Sequence, residues 1–435
     1  MLERSGATWI KVAPSFSAYL CAMDTPRTVA VIGGGAAGYF AAIAAAEANP
    51  NCQVILYEKG PDTLGKVRIS GGGRCNVTHA CFSPNELIEF YPRGGAELLG
   101  PFNRFMTGDT LEWFADRGVE LKIEADNRIF PVTNSSQTII DCLETFAARA
   151  GVDVKTRHGV QSLDPLPGGR WRIVFDEGGE RDFDAVLLAP GSSRRMWEVL
   201  RKLGHSIVTP VPSLFTFVIK DKRITGLEGI SLERVSLSIP QSGWESEGPF
   251  LITHVGMSGP AVLRLSAFAA RWLADAGYRF SLTVNFTPDH TTESLIDHLN
   301  GLRKSTDFQR RKLITSPVLG LPLRLWKSLC AAAKIPESFT WSDAGKPHLR
   351  RLAEQVTQAS FPVSGKNTFK DEFVTAGGVA LSEIDFRTFG SKLFPNLYLA
   401  GEVLDIDAVT GGFNFQAAWT GGWIAGHAMA HRPLE

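Results

Sequence analysis

A chain of 435 residues, 44% hydrophobic and 21% charged, is too long for one simple core and ordinary for a globular protein, which predicts two or three domains. Its 45 Lys and Arg balance 45 Asp and Glu to a formal net charge of +0, so bulk charge recruits no polyanion and predicts no nucleic-acid partner. No apolar run reaches the length of a membrane span, and the six cysteines form no C-x-x-C pair, which argues against a zinc ribbon or redox disulfide and suits a cytoplasmic protein with reduced thiols.

The first 23 residues lack a cationic start followed by an apolar core, so they are not a signal peptide, and residues 1–26 read as a loose N-terminal extension or an over-long start before Met23. Residues 28–38 then read TVAVIGGGAAG. A β-branched run ends at three glycines, and an alanine-rich helix starts near Ala36. Gly33, Gly35 and Gly38 have the spacing G-x-G-x-x-G: a tight turn, room for a pyrophosphate, and close helix–strand packing. The helix N-terminus offers unpaired N–H groups and a positive dipole end to phosphates. A second strand (QVILYEKG) ends in Glu58, an acid placed to bind the hydroxyls of an unphosphorylated ribose, as in FAD or NAD.

The segment from Gly65 to Ala80 is rich in glycine and carries Lys66, Arg68 and Arg74, which suits an anion or a flat ring; Cys75 is a candidate nucleophile without a base in sequence. Strands and helices alternate to about residue 204: a helix at 111–117, a strand at 119–124, an amphipathic helix at 135–150, a strand at 152–157, and a hairpin whose arms are 170–176 and 181–188. The second arm runs into the glycine turn of LLAPGSS. Residues 205–290 hold short strand-like runs and read as a β-rich insert; within it His254 is a candidate proton relay, and Ser258-Gly259-Pro260 a helix start. Residues 291–356 read as helical, with a local basic run including Arg310, Arg311 and Lys312. After that the strand–glycine–helix pattern returns: NLYLAGEV ends in Glu402, Asp405 and Asp407 follow, and a helix starts at Phe413 or Asn414 after Gly411-Gly412. A strand-end carboxylate suits a flavin's sugar-alcohol chain, and a glycine-started helix suits the flavin's pyrimidine edge, where charge builds on reduction. No metal spacing accompanies these acids.

The expected fold is therefore α/β, a Rossmann-like FAD-binding domain made of 27–204 and 357–435, with a β-rich insert (205–290) and a small helical domain (291–356), the insert capping the ligand cleft. Only one G-x-G-x-x-G follows a strand, so the bound dinucleotide is expected to be FAD, with NADH or NADPH at most a transient electron donor.

Three further motifs, GGGRCNVT, THVGMSGPAVLRLS and the long run from FVTAGGVALSEID through LYLAGEVLDIDAVTGGFNFQAAW, follow VIGGGAAG in order. Together they resemble the bacterial NAD(P)/FAD-dependent oxidoreductases, glutathione-reductase-like flavoproteins that include aminoacetone oxidase and a bile-acid-inducible flavin reductase. The resemblance implies FAD contacts at Gly33, Gly35, Gly38, Glu58, Arg74, Asn76, Ala189, Gly191, Gly401, Glu402, Gly412 and Asn414. Ala36, Ala37, Lys59, Lys66, Ser70, Gly73, Cys75, Val160, Pro190, Asp405, Gly411 and Phe413 complete the expected cofactor-binding set. Where the family reads threonine-asparagine this chain has Thr78-His79. The reading that follows is oxidoreduction of a small organic substrate by hydride transfer at the flavin; the alternatives are an FAD-dependent tRNA-modifying enzyme and a flavin-bound sensor without turnover.

Overall fold

The computed structural model describes residues 26–367 and 374–431; the expected N-terminal extension lies outside the described residues, apart from Pro26. The chain opens with β1 (Thr28–Ile32), the alanine-rich α1 (Ala36–Ala48) and β2 (Gln53–Tyr57), followed by α2 (Gly65–Gly73). β3 (Asp153–Lys155), β4 (Ala185–Leu188) and, near the end of the chain, β5 (Leu397–Leu399) join them as the parallel strands of one sheet in the order β5-β4-β1-β2-β3, with the short antiparallel strands 384–385 and 390–391 added at the β5 edge. The inner strands β1, β2, β4 and β5 are buried on both faces, and for that reason their sequences are continuous apolar runs, not alternating ones, whereas β3 (DVK) is a half-exposed strand beside β2.

The last helix, α3 (Phe413–Ala430), packs directly on α1. Small residues allow the backbones to touch: a Cβ on Gly422 would lie 2.5 Å from the Ala37 carbonyl oxygen, and one on Gly426 2.4 Å from that of Ala41. Phe40, Trp113 and Trp419 fill the space beside this contact, with ring centroids 4.3 and 4.8 Å from Phe40. The first and last helices of the nucleotide domain are thus one packed unit, although more than 360 residues separate them in sequence.

Between β4 and β5 the chain leaves the sheet. A two-stranded ribbon (Ile207–Ser213 with Val374–Val379) connects to a closed six-stranded barrel, with 216–219, 256–258, 244–252, 231–239, 280–285 and 359–367 in spatial order. The barrel's last strand, Ala359–Asn367, falls beyond the boundary expected at 356, because sequence periodicity carries no record of which sheet a strand closes. The β-rich region also holds two helices, Pro260–Phe268 and Ala270–Asp275, the first starting at Pro260 as expected. Thr292–Lys304, Leu323–Ala332 and Lys346–Thr357 form the helical subdomain on the barrel. The hairpin expected to end at Leu188 ends instead at Phe183; Ala185–Leu188 turns away to become β4, pairing parallel with β1.

Candidate functional site: a dinucleotide cleft

The C-terminal ends of the parallel strands open into a cleft of about 780 Å³, within the range of cofactor sites, roughly 300–1,000 Å³. Its floor is the G-x-G-x-x-G turn, and each glycine has a distinct steric reason. A Cβ on Gly33 would lie 2.3 Å from the Ala189 carbonyl oxygen, and one on Gly38 1.9 Å from the Gly33 carbonyl oxygen, so both positions are closed to any side chain. A Cβ on Gly35 would meet nothing within 4 Å, because that position faces the cleft. Gly35 also caps α1 without a side-chain hydrogen bond, which leaves the helix N-terminus bare toward the cleft.

Glu58 fixes this turn. Its carboxylate accepts the Gly34 N–H at 2.8 Å and the Gly60 N–H at 2.7 Å and still faces the cleft with spare lone pairs. The opposite wall comes from the C-terminus. Gly401 and Glu402 follow β5, and Glu402 forms an ion pair with Lys66 of α2, tying the two ends of the chain together across the cleft. α3 starts at Phe413 after Gly411-Gly412, again with no side-chain cap, so a second helix N-terminus opens on the same cleft. Asn414 lines the cleft while clamping its own loop: it accepts the Ala408 N–H at 3.0 Å and donates to the Ala408 carbonyl at 3.1 Å. His79 braces the loop from below through a 3.1 Å hydrogen bond to the Gly411 carbonyl, and burial lowers its pKa.

Asn76 is the most telling side chain. It is 8% exposed, it lines the cleft, and its Oδ1 has no hydrogen-bond partner. A buried acceptor left unpaired is costly, about 1–3 kcal/mol, so this oxygen calls for a donor from the cleft, a ligand N–H or O–H or a water in its place.

Of the residues expected at the cofactor, Gly33, Gly35, Ala36, Ala37, Glu58, Lys66, Ser70, Asn76, Ala189, Pro190, Gly191, Gly401, Glu402, Gly411, Gly412 and Asn414 line the cleft. Others do not. Gly38 packs beneath the turn, and Phe413 is buried against Phe90 and His79. Arg74 lies over the Phe130 ring at 3.9 Å and pairs with Glu124 at 2.8 Å. Asp405 pairs with Arg271 of the insert. Lys59 and Gly73 are exposed away from the cleft, and Val160 is buried in a neighbouring sheet. Neither candidate for substrate chemistry lines it either. Cys75 is fully buried, and desolvation pushes its thiol up to about 12, so it stays protonated. His254 is exposed at the turn between barrel strands 244–252 and 256–258.

The cleft also holds residues that the motifs did not mark. Phe415 and Ala418 share a face of α3 with Asn414, Ala418 lying four residues beyond Asn414 and three beyond Phe415, a helical spacing that could have found them. Arg128 arrives by pairing with His79, and Leu214 and Val374 from the ribbon, where Ser213 faces Val374; no local sequence signal announces such partners. Of the segment expected to cap the cleft, 205–290, Leu214 lines it beside Val374 of the ribbon, and the barrel strands lie behind them among the described residues.

Two other clusters are closed. Asp407 is fully buried, bound by Arg93 and, at 2.9 Å, by Ser213, and Arg93 also donates to the Ala267 carbonyl at 2.7 Å. His205 sits between Glu383 (2.7 Å) and Ser391 (3.1 Å) like a hydrolytic triad, yet the Ser391 oxygen already accepts N–H groups from Leu393 and Phe394 and is spent on its turn. Among the described residues no helix is long and apolar enough to cross a membrane.

Residues 27–428 match the family described as HI0933-like protein Rossmann domain, and the chain belongs to that family. It is similar to a 3-dehydro-bile acid delta(4,6)-reductase of Clostridium scindens, 28% identical over 415 residues that cover 93% of this chain and 99% of that protein. It is also similar to a ribosomal RNA dihydrouridine synthase of Escherichia coli, 26% identical over 405 residues, 90% of this chain and 95% of that protein. The second relative bears against the expectation of no nucleic-acid partner. Among solved structures, a 3-ketosteroid-delta4-(5alpha)-dehydrogenase from Rhodococcus jostii RHA1 shares the fold with a TM-score of 0.52 at 15% identity, covering 94% of this chain and 98% of that one.

Proposed function

We propose that the cleft holds FAD and that the protein is a flavin-dependent reductase of carbon–carbon double bonds conjugated to a carbonyl. The observation that carries the FAD reading is the convergence of two bare helix N-termini, those of α1 and α3, on one cleft. An elongated ligand with a diphosphate at one end and a ring that gains negative charge at the other fits that arrangement. The residues present suit it: Gly35 leaves room for the diphosphate, Glu58 accepts ribose hydroxyls, and the unpaired Asn76 Oδ1 accepts an N–H or O–H.

The chemistry such a group supplies when bound is two-electron transfer, a hydride to the β-carbon of the conjugated system, with NADH or NADPH restoring the electrons. The protein's own part is electrostatic. The N–H groups at the start of α3 are fixed before reaction by Asn414 and His79, so they stabilise developing negative charge without reorganising. The substrate class is supported by what the two relatives' names have in common: a delta(4,6)-reductase and a dihydrouridine synthase both saturate a double bond conjugated to a carbonyl. Oxidation of a small amine is the competing reading.

The test is anaerobic. The FAD-loaded protein is mixed with NADH or NADPH, or with a panel of small amines and aminoketones, and bleaching of the yellow flavin is followed. The reduced protein is then offered conjugated ketones. Reduction by a pyridine nucleotide and reoxidation by an unsaturated ketone is expected. Bleaching by amines alone, with reoxidation only by oxygen, would end the reductase reading.

A further inference from the structure

Lys66 and Arg128 are the cationic side chains that line the cleft among the described residues. Lys66 is drawn to Glu402 across it. Arg128 is held differently. It begins the strand Arg128–Pro131, and Asp126 just before that strand accepts its backbone N–H at 3.3 Å and its Nε–H at 2.7 Å. One edge of the guanidinium is thereby occupied. Neither terminal nitrogen has a hydrogen-bond partner among the described residues, which leaves the fork's remaining N–H donors and a permanent charge at the cleft. The side chain is 39% exposed, so a ligand can reach it.

Strand register decides which end of the cleft Arg128 serves. It lies directly opposite His79 in an antiparallel pair, so the two side chains share a face. From that face His79 reaches the Gly411 carbonyl at 3.1 Å. Phe130, on the same side of the strand as Arg128, has its ring centroid 5.4 Å from the guanidinium carbon, and a Cβ on Gly71 of the cleft wall would lie 2.8 Å from that ring. Arg128 therefore stands at the Gly411 end, where the flavin ring is proposed to sit, and not at the Gly33 turn that suits the diphosphate. Burial lowers the His79 pKa, so of these two neighbours Arg128 is the one that carries charge at neutral pH.

Resting on the reductase reading above, we propose that Arg128 is a catalytic residue: its terminal N–H groups hold the carbonyl oxygen of the conjugated substrate and stabilise the enolate that forms as hydride arrives. The step balances. Hydride bonds to the β-carbon, and the electrons of the C=C bond move through the conjugated system onto the carbonyl oxygen. The α-carbon then takes a proton from water and the C=O bond re-forms. NADH or NADPH supplies the hydride by way of the flavin and is oxidised. Negative charge grows on the carbonyl oxygen only along this path, so a fixed cation there lowers the barrier more than it tightens binding of the ketone.

The test compares the FAD-loaded full chain with its Arg128→Gln and Arg128→Lys variants. Reoxidation of the reduced protein by cyclohexenone should be about 10- to 100-fold slower in Arg128→Gln, a smaller loss than that of a fully enclosed oxyanion donor, and partly restored in Arg128→Lys. Flavin content and the rate of reduction by NADH or NADPH should not change. A second readout needs no turnover. The probe is para-chlorophenol, whose phenolate mimics the enolate; it is titrated with pH against the oxidised protein, and the long-wavelength absorption of phenolate stacked on flavin is followed. The wild type should lower the apparent pKa of the bound phenol by at least about one unit, a tenfold preference for the anion, and Arg128→Gln should abolish that shift. Equal reoxidation by Arg128→Gln, a phenol pKa that the wild type leaves unchanged, or one that Arg128→Gln lowers as far would each overturn the proposal. Loss of flavin from both variants would make Arg128 a cofactor contact and overturn it too. If no conjugated ketone reoxidises the wild type, the reductase reading falls and this role with it; if the wild type is reoxidised and Arg128→Gln keeps pace, the role alone falls.

Discussion

The cleft and the joint between domains are built on opposite principles. In the cleft, backbone meets backbone: the carbonyls of Gly33 and Ala189 approach glycines where no side chain fits. At the joint, the contact is between charged side chains. Asp407, five residues beyond Glu402 of the cleft wall, binds Arg93 and Ser213, while Asp405 binds Arg271 of the insert. The contrast teaches why residues so close in sequence divide their work. Asp405 and Asp407 belong to the same segment as Glu402, yet they hold the insert to the nucleotide domain, and Glu402 alone faces the ligand.

The joint is where the largest loss is expected. The Asp407 side chain is fully buried and that of Arg93 is 10% exposed, so Asp407→Ala strands a guanidinium away from water. A loss of about 3–5 kcal/mol in chemical unfolding is expected, and the double change Arg93→Met with Asp407→Leu should recover most of it. The neighbouring pair makes a control: Arg271 is 47% exposed, and Arg271→Ala should cost no more than about 1 kcal/mol. Equal costs at the two sites would remove the distinction between a buried tie and a surface one.

Two glycines of the cleft sharpen the other side of the comparison. Gly38→Ala drives a Cβ to 1.9 Å from the Gly33 carbonyl oxygen, and a stability loss of about 3 kcal/mol is expected whether or not cofactor is added. Gly35→Ala places its Cβ in open space, so the cofactor-free protein should melt like the wild type and retain less flavin on dialysis. If both variants lost stability alike, Gly35 would have a packing role and not a ligand role.

Legibility follows the same division. The glycine turn, Glu58 and the start of α3 were readable because the chemistry that needs them is local: a strand, a turn and a helix within a few dozen residues. The 135–150 helix was readable for the same reason, down to Ser135, whose hydroxyl accepts the Gln137 N–H at 3.3 Å. Leu214, Val374 and Arg128 were not readable, because each reaches the cleft through pairing with a distant strand. Arg74 and Cys75 misled because a glycine-rich, cationic segment has the composition of an anion loop. The folded chain instead uses half of it as α2, turns through Gly71–Gly73, and spends Arg74 on Glu124 and Phe130.

The smallest effect tests how the insert's own parts are tied. Asp221, in a loop of the barrel, accepts the Arg223 backbone N–H at 2.8 Å and its side chain at 3.0 and 2.7 Å, and the guanidinium lies over Phe361 at 3.9 Å while reaching Gln355 of the helical subdomain at 3.0 Å. The Arg223 side-chain hydrogen bonds hold the Asp221 carboxyl below its ordinary value. A carboxyl depressed in the folded state stabilises it above the unfolded pKa, about 3.9, and the contribution is lost as pH falls through the folded value. Asp221→Asn should therefore cost about 1 kcal/mol or less at pH 7, and the gap to the wild type should close as the pH is taken from about 5 toward 3. No cost of Asp221→Asn at pH 7 would assign the tie to guanidinium stacking on Phe361 alone, because that stacking by a permanently charged arginine is kept in the variant and does not titrate there.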